Sequence, residues 1–555
     1  MHVTAETVAV LAMLVSVAAG AATNTSRPDG SDNLIRVYEV NKRVSQFPEK
    51  DDLSTPESAY VAINRLMAGG QEGRWREISV TRLTSRLPPA DAPAVKVKPE
   101  DARTWLDAKI VEVRVFRDTL AVAITRVGFA SGRFCYDSRS VELEDGRWLN
   151  AGQSIFDTID EARLSFTRRC AELVGRPKWP PIADPDGHLG QFIDFLGSHA
   201  HEPKSFVMKA IASHKIVIMG EIHHRPLYWA FNASLIADPE FARLAGTIYL
   251  ELPSNDQTLV DQFLAADTLD TTPVIDMLRD MMEFGWPDQP MLDFFVAVWR
   301  ANQNLPESQR LRIVLADMQR PWKDISTRQD LMKYHVDRDR YMADAILRDM
   351  SSHPDDKRNT LFIVGAGHTK LNLRYFDGTP LASAGHHLLK KLGRDQVFAF
   401  FPHTCVMTNQ GRVDGRLCRG LFESAFAALE NKPMAFPLDT GPFGEQFFDA
   451  FPEDVVTSKY RDGYDAYLYL GPLESESFSP LIQGFYTDES VKEIDRRYRI
   501  VSGRAWSDIY NRDPSAESFT AWLSSSWGRP RQDWRAAALG PLDVWKRTSK
   551  SDSDR

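Results

Sequence analysis

Several features that would assign a function class directly are missing from this sequence. Its 67 Lys and Arg residues are outnumbered by 76 Asp and Glu residues, which gives a formal net charge of -9. A nucleic-acid-binding surface needs clustered positive charge to neutralise phosphates, and no basic run supplies it, so we expect no nucleic-acid partner. No G-x-S-x-G motif follows a predicted strand, which disfavours catalysis by a serine nucleophile.

Cysteine is also scarce. The chain has four cysteines in 555 residues and no C-x-x-C spacing, which removes support for a cysteine zinc site or a c-type haem attachment. Two interpretations of the four remain open. Either Cys135 pairs with Cys170 and Cys405 with Cys418, as suits an exported protein, or all four are buried thiols.

Long hydrophobic runs are equally rare. Residues 7–22 form the one apolar stretch with targeting character, and it is short and ends in Ala19-Gly20-Ala21-Ala22. We therefore expect a signal peptide over residues 1–22 and a secreted or periplasmic protein with no stable membrane span after cleavage. The first six residues carry no Lys or Arg, so an uncleaved anchor is the alternative.

The N-terminal third of the sequence predicts a small α+β domain over residues 50–173, after a flexible lead-in at 23–48. A helix begins at Thr55-Pro56, hairpin strands follow, and Asp145-Gly146 marks a tight turn. This order of elements resembles NTF2-like or cystatin-like domains. No acid, base or metal ligands cluster in it, so we expect an accessory role.

The second part predicts an α/β domain over residues 189–475, after a proline-rich linker at 174–188. Continuous apolar runs alternate with helical patterns, which is typical of a mostly parallel sheet with flanking helices. A C-terminal extension at 476–545 and a disordered tail at 546–555 complete the chain. The predicted strands are KIVIMG, TIYLELP, RIVLADMQ, TLFIVGAGH, VFAFFPH and AYLYLGP, which begin at residues 215, 247, 312, 360, 397 and 466.

Titratable side chains follow five of these six runs. Because the carboxyl ends of parallel strands meet at one edge of a sheet, where ligands bind, their accumulation there predicts a site. Each one alone is more often a structural residue. The residues in these positions are Glu221, His223, His224, Glu251, Asp317, His368 and His403.

Two neighbouring patterns refine this prediction. Arg338, Met342 and Ile346 recur at i+4 spacing, so Arg338 faces inward and can bind a buried carboxylate such as Glu251, or an oxyanion. A purely structural Arg–Glu pair is the alternative. Pro226 fits the first turn of a helix whose dipole disfavours imidazolium. We therefore expect a neutral histidine near it that acts as a base or a metal ligand.

The motifs GEIHH, IYLELP, LADMQ, DRDRYMADAI and VGAGH, in this order, resemble the erythromycin esterase, ChaN and Tiki/TraB superfamily. The resemblance implies that His223 activates water, with His224 in a structural place. By the same resemblance Glu221 and Glu251 orient the base, Arg338 and His368 stabilise an oxyanion or hold the carboxylates, and Asp317 supports the site. The esterase branch has a histidine at the position of Gly365, so VGAGH is closer to the Tiki/TraB form.

Three functions follow from the resemblance. The first is an exported hydrolase that cleaves an ester or related acyl bond of a small-molecule or peptide substrate and requires no cofactor. The second is a Tiki-type peptidase in which His223 and His368, with Glu221 or Glu251, hold Mn, Co or Zn. The third is a ChaN-like protein that binds haem or another ligand without catalysis.

Overall fold

The computed structural model describes most of the chain and divides it into two compact units. Unit 1 comprises Met1–Gly175 with Tyr375–Thr379, and unit 2 comprises Arg176–Arg374 with Pro380–Arg555. The predicted signal peptide, residues 175–181 of the linker and nearly all of the tail lie outside the described residues. Those described are 35–49, 52–81, 83, 97, 99–129, 134–156, 158–174, 182–334, 336–407, 413–451, 457–527 and 539–546.

Unit 1 is an antiparallel five-stranded sheet with helices packed on it. The spatial order of the strands follows the chain, from β1 to β5. Two left-handed residues, Asp145 and Gly146, make the predicted tight turn between β4 and β5. The elements are β1 (Ile35–Arg43), α1 (Pro56–Ala68), α2 (Pro99–Leu106), β2 (Lys109–Phe116), β3 (Leu120–Gly128), β4 (Phe134–Glu144), β5 (Arg147–Phe156) and α3 (Ile159–Val174).

Strand β1 lies where we expected a flexible lead-in. It pairs with β2 from Ile35 opposite Phe116 to Arg43 opposite Lys109. The strand contains Arg, Glu, Asn and Lys side chains, so it lacks the apolar pattern by which a strand is predicted. Charged residues of this kind are common on a sheet edge that faces solvent. Start signals in the sequence do predict α1, whose Thr55 hydroxyl accepts a hydrogen bond from the amide of Ser58.

The two faces of the unit 1 sheet bury separate cores. Tyr60 and Val113 belong to the core beneath α1, and Phe166 and Val122 belong to the core beneath α3. Cys135 lies in the first core and Cys170 in the second, so the sheet stands between them. All four cysteines are free and buried, which corrects the disulfide pairing and matches the alternative of buried thiols.

Unit 1 also contains a buried acid that sequence reasoning overlooked. The Tyr60 hydroxyl donates to Asp137 at 3.1 Å, and Arg139 lies 3.6 Å from the same carboxylate. Burial raises the pKa of Asp137 above its ordinary value, although Arg139 lowers it. The expectation that this part of the chain lacks clustered acids and bases therefore does not hold.

Unit 2 is an α/β structure around a mixed, mostly parallel sheet of seven strands. The spatial order is β13-β14-β10-β6-β9-β7-β8, and all six predicted strands are present and parallel to one another. The seventh, β13, is an antiparallel edge strand of four residues that the sequence does not signal. The strands of unit 2 are β6 (Ile216–Glu221), β7 (Ala245–Pro253), β8 (Arg312–Asp317), β9 (Asn359–Gly365), β10 (Val397–Pro402), β11 (Cys405–Met407), β12 (Val413–Arg416), β13 (Met434–Pro437) and β14 (Ala466–Tyr469).

Helices cover the unit 2 sheet, and α4 begins inside the predicted linker because Asp184 caps it and Pro185 opens its first turn. None of the described helices is long and apolar enough to cross a membrane. The helices of unit 2 are α4 (Pro185–His199), α5 (Pro203–Ser213), α6 (Pro226–Ile236), α7 (Pro239–Leu244), α8 (Gln257–Ala265), α9 (Thr272–Asp280), α10 (Gln289–Gln303), α11 (Arg328–Met332), α12 (Arg338–Ser352), α13 (Ala384–Leu392), α14 (Leu421–Ala428), α15 (Gly441–Gly444), α16 (Tyr460–Gly463), α17 (Asp488–Ser502), α18 (Trp506–Tyr510) and α19 (Ala516–Trp527).

The predicted C-terminal extension is part of the unit 2 core. Ile494 of α17, Trp506 of α18 and Phe519 of α19 belong to the same buried cluster as Met277 and Phe295. Burial of large aromatic side chains of this kind contributes several kcal/mol of apolar transfer free energy. Unit 2 therefore continues well beyond residue 475.

The strand order brings three predicted site residues to neighbouring strand ends. Glu221 ends β6 opposite Gly365 of β9, and Asp317 ends β8 opposite Pro253 of β7. Since β9 lies between β6 and β7, Glu251 near the end of β7 reaches the same edge. This is the edge at which an α/β sheet binds ligands.

Candidate functional site

A cavity of about 190 Å³ opens at this edge of the sheet. Its walls combine charged side chains from the strand ends with apolar side chains from the segments between Pro253 and Met318. The resemblance gave catalytic or supporting roles to six residues. Five of them line this cavity, and the sixth, His368, lies next to Glu251. The charged lining residues are Glu221, His223, Glu251, Asp317, Arg320 and Arg338.

Arg338 joins two buried carboxylates at the back of the cavity. It is the first residue of α12, and its Nη2 lies 2.6 Å from Glu251 Oε1 and 2.6 Å from Asp317 Oδ2. Its Nε adds a 2.9 Å hydrogen bond to Asp317. Burial raises the pKa of Glu251, but the positive charges of Arg338 and His368 lower it by more. The pKa of Glu251 therefore lies well below its usual range. Glu251 is therefore ionised.

His368 is held between two carboxylates. It ends a single 3-10 turn, Ala366–His368, directly after β9. Its Nδ1 is 2.8 Å from Asp339 Oδ1, and its Nε2 is 3.4 Å from Glu251 Oε1. Burial lowers the pKa of His368, whereas Asp339 and Glu251 raise it to about 10. His368 and Arg338 thus place two positive charges against Glu251.

His223 is the most accessible member of the site, with 47% of its side chain exposed. Its Nδ1 hydrogen-bonds Glu221 Oε1, and its ring meets the Trp286 ring edge-on at 5.1 Å. Burial lowers the pKa of His223, but the Glu221 carboxylate raises it to about 9. The expectation of a neutral histidine is corrected, because a bonded carboxylate outweighs the dipole of the helix that begins at Pro226.

Gly365 allows this arrangement to close. A Cβ atom at this position would lie 2.7 Å from His223 Cε1 and 3.1 Å from Glu251 Oε2. The Gly365 amide donates to Glu251 Oε2 at 2.6 Å. The glycine that departs from the esterase-type motif is therefore required by the close approach of the His223 ring.

The two remaining histidines from the strand ends take other places. His224 hydrogen-bonds Asp288 at 3.0 Å and stacks on Trp286 with ring centroids 4.2 Å apart, so it braces the cavity wall. His403 follows β10 on the far side of β6 and hydrogen-bonds the Tyr467 hydroxyl at 2.6 Å. It does not line the cavity.

Three residues of the site were missed by sequence reasoning. Asp339 is 3% exposed and precedes Ala343 by one helical turn, so the apolar stripe of α12 already indicated its inward face. Trp286 and Arg320 come from connecting segments, where no periodicity applies. Such residues reach the strand ends only through the folding of the whole chain, so no local sequence pattern identifies them.

Three side chains can present ligand atoms to one cation. The ligand atoms of Glu221, His223 and Glu251 lie within 4.8 Å of one another, and Glu221 Oε2 is buried without a hydrogen-bond partner among the described residues. His368 is outside this group. Both oxygens of Glu251 are already engaged by Arg338 and by the Gly365 amide. The donors fit a divalent metal, whereas the two adjacent positive charges oppose it.

Comparisons with known proteins leave the family open. No family model and no curated protein matches the chain. Among solved structures, an erythromycin esterase EreC mutant in its open conformation is 12% identical, covers 50% of this chain and 95% of its own, and has a TM-score of 0.34. A succinoglycan biosynthesis protein is 10% identical, with coverage of 50% and 96% and a TM-score of 0.37. ChaN of Campylobacter jejuni, described with cofacial haem binding, is 13% identical, with coverage of 36% and 86% and a TM-score of 0.26.

Proposed function

We propose that this chain is an exported, erythromycin-esterase-like hydrolase that cleaves an ester or related acyl bond with His223 as the base. One observation carries the proposal. The His223 ring is oriented through Nδ1 by Glu221, while no described residue hydrogen-bonds its Nε2. An oriented, accessible imidazole beside a pocket is what a general base for water activation requires. Export rests on the signal-peptide pattern over residues 1–22.

The proposed reaction uses the neutral form of His223. Its Nε2 accepts a proton from water as the water oxygen bonds to the acyl carbon and the carbonyl electrons move to oxygen. The tetrahedral oxyanion then re-forms the carbonyl and expels the alkoxide, which takes the proton from His223. Arg338 and protonated His368 supply the positive charge that stabilises the oxyanion.

Hydrolysis of p-nitrophenyl esters tests the proposal. We expect His223→Ala to reduce kcat by about 100-fold or more, the usual contribution of a positioned general base. The control is His353→Ala, because His353 is a half-exposed histidine at the end of α12, away from the cavity. Equal rates for His223→Ala and the unaltered protein would overturn the role of His223.

The second candidate is a metal-dependent peptidase, favoured by the ligand atoms of Glu221, His223 and Glu251 and by the unpartnered Glu221 Oε2. A bound divalent metal would supply a water of lowered pKa. In this chain Glu221 and His223 would hold the ion, and Arg338 would keep Glu251 ionised.

Metal analysis after incubation with Mn, Co or Zn separates the two candidates. The esterase proposal expects no stoichiometric metal and ester hydrolysis that survives a chelator. Stoichiometric metal that is lost in Glu221→Gln and retained in His368→Ala would favour the peptidase instead. A haem titration of the same samples tests the third function, since a Soret shift that disappears in His223→Ala would favour a haem-binding protein.

A further inference from the structure

Within the described part of the chain, Arg320 is the charged residue of the cavity lining whose side chain forms no hydrogen bond or ion pair. It follows β8 by three residues, and its backbone amide donates to Asn255 Oδ1 at 2.7 Å, which fixes the backbone there. Among the described residues, none accepts a hydrogen bond from its guanidinium or forms an ion pair with it. Arg320 nevertheless lines the cavity.

The other charged residues of the lining are already paired with one another. Glu221 pairs with His223, and Arg338 pairs with both Glu251 and Asp317. The guanidinium of Arg320 is therefore available to bind an anionic ligand. Burial lowers the pKa of Arg320, although the Glu283 and Asp317 carboxylates raise it, and among the described residues neither carboxylate forms an ion pair with it. A guanidinium stays charged in such a place and gains most from a carboxylate that can accept two parallel hydrogen bonds.

The cavity that Arg320 lines also has an apolar, methionine-rich portion. Four of the 15 methionines in the chain line this cavity, together with Trp286. Methionine side chains are unbranched and polarisable, so they pack against flexible aliphatic groups of varied shape. The four are Met281, Met282, Met291 and Met318.

We infer that the substrate is an amphiphilic anion: an ester whose aliphatic portion ends in a carboxylate, which Arg320 binds while the methionines pack against the methylene chain. This inference names the substrate class for the proposed hydrolase and rests on that function. The ester group lies at His223, and the carboxylate remains unchanged by the reaction. Arg320 is then a specificity-determining residue that contacts substrate away from the reacting atoms.

The first experiment compares esters matched in length but not in charge. The probes are mono-p-nitrophenyl adipate against p-nitrophenyl hexanoate, and mono-p-nitrophenyl suberate against p-nitrophenyl octanoate. We expect KM to be about tenfold lower for the anionic member, since a charge-assisted bidentate pair is lost with the neutral one. Arg320→Met should remove the preference with little change in kcat, and Arg320→Lys should retain part of it.

Arg300→Met is the matched control, because Arg300 is an exposed residue of α10 that does not line the cavity. It should keep the preference of the unaltered protein. A preference that persists in Arg320→Met, or disappears in Arg300→Met, would overturn the assignment.

The second experiment measures binding without hydrolysis. Calorimetry with 6-methoxyhexanoate and with 6-methoxyhexan-1-ol compares a carboxylate and a neutral ligand that contain no ester. We expect the carboxylate to bind about tenfold more tightly, and Arg320→Met to bind the two equally. This result would support the anion site even if no ester were hydrolysed, in which case only the proposed function would fail. Equal binding by the unaltered protein would overturn the anion site.

Discussion

At the scale of single residues, the Glu221–His223 pair decides when a base is available. The bonded carboxylate raises the pKa of His223 to about 9, so the imidazole is mostly protonated at neutral pH. A general base must be neutral before it accepts a proton. The proposed hydrolysis should therefore speed up as the pH rises towards 9.

This gives a pH prediction for Glu221→Gln. Loss of the carboxylate removes the main influence that raises the pKa of His223, which should move towards its ordinary value of 6.5. The midpoint of the kcat/KM profile, measured between pH 5 and 10, should fall by one to two units, in keeping with the size of such charge effects. A midpoint that stays at about 9 in the variant would show that Glu221 does not control the base.

A second residue-scale prediction concerns Gly365, which ends β9, and Gly367 in the 3-10 turn that follows. In Gly365→Ala the new Cβ meets His223 Cε1 at 2.7 Å, so the ring must move away. Activity should fall by at least tenfold, because small displacements of a catalytic group are costly. Gly367→Ala is the control, since a Cβ there meets no atom within 4 Å. Similar losses in both variants would contradict the explanation.

Sequence patterns predicted the site unequally at this scale. Glu221, His223, Glu251 and Asp317 were identifiable because each follows an apolar strand, and strand ends converge by topology. The raised pKa of His223 could not be predicted in this way, because it depends on the hydrogen bond to Glu221, which sequence spacing does not specify. His368 was identifiable as a position, whereas its pairing with Asp339 was not, because two separate elements must meet in the fold.

At the scale of elements, the first turn of α12 acts as one part of the site. Arg338 bonds Glu251 and Asp317, and the next residue, Asp339, bonds His368 and the amide of Ala384. One helix start thus orders charged groups from three strand ends. Its position is fixed in turn by Met342 and Ile346, which are fully buried.

Removing Arg338 should therefore destabilise unit 2. Arg338→Met leaves Glu251 with His368 as its one remaining ion-pair partner among the described residues and leaves Asp317 with none, at a cost of about 3 kcal/mol in the free energy of unfolding. Arg348→Met serves as control, since Arg348 is exposed on the same helix, and should cost about 0.5 kcal/mol or less. Urea denaturation followed by tryptophan fluorescence measures the free energy of unfolding of both variants. An equal loss in Arg338→Met and Arg348→Met would show that the ion pairs of Arg338 do not stabilise the fold.

Elements differed in how well the sequence predicted them. The strands buried on both faces were apparent as continuous apolar runs. The edge strands β1 and β13 were not predicted, because β1 carries charged residues and β13 has only four residues, the last of which is Pro437. The charged residues of β1 are common on exposed sheet edges and resemble those of a loop, whereas β13 is too short to show a pattern.

At the scale of the whole molecule, burial of the four cysteines makes a prediction about thiol chemistry. Each is at most 7% exposed, and burial raises the pKa of the Cys170 and Cys418 thiols. Buried thiols with raised pKa values react slowly. Ellman's reagent should therefore detect no thiol in the native protein and four after denaturation without reductant. Two or fewer after denaturation would show that disulfides form.

The segment after residue 475 has a consequence for how the molecule is made. Ser479 donates its amide to the carbonyl of His224, and Pro480 and Ile482 hydrogen-bond the stretch from Pro287 to Gln289, next to Trp286. The cavity wall between His223 and Trp286 is thus held by chain that leaves the ribosome after every proposed catalytic group. A nascent chain that has passed His368 still lacks these contacts, so the pocket is completed only after residues 479–482 have been made.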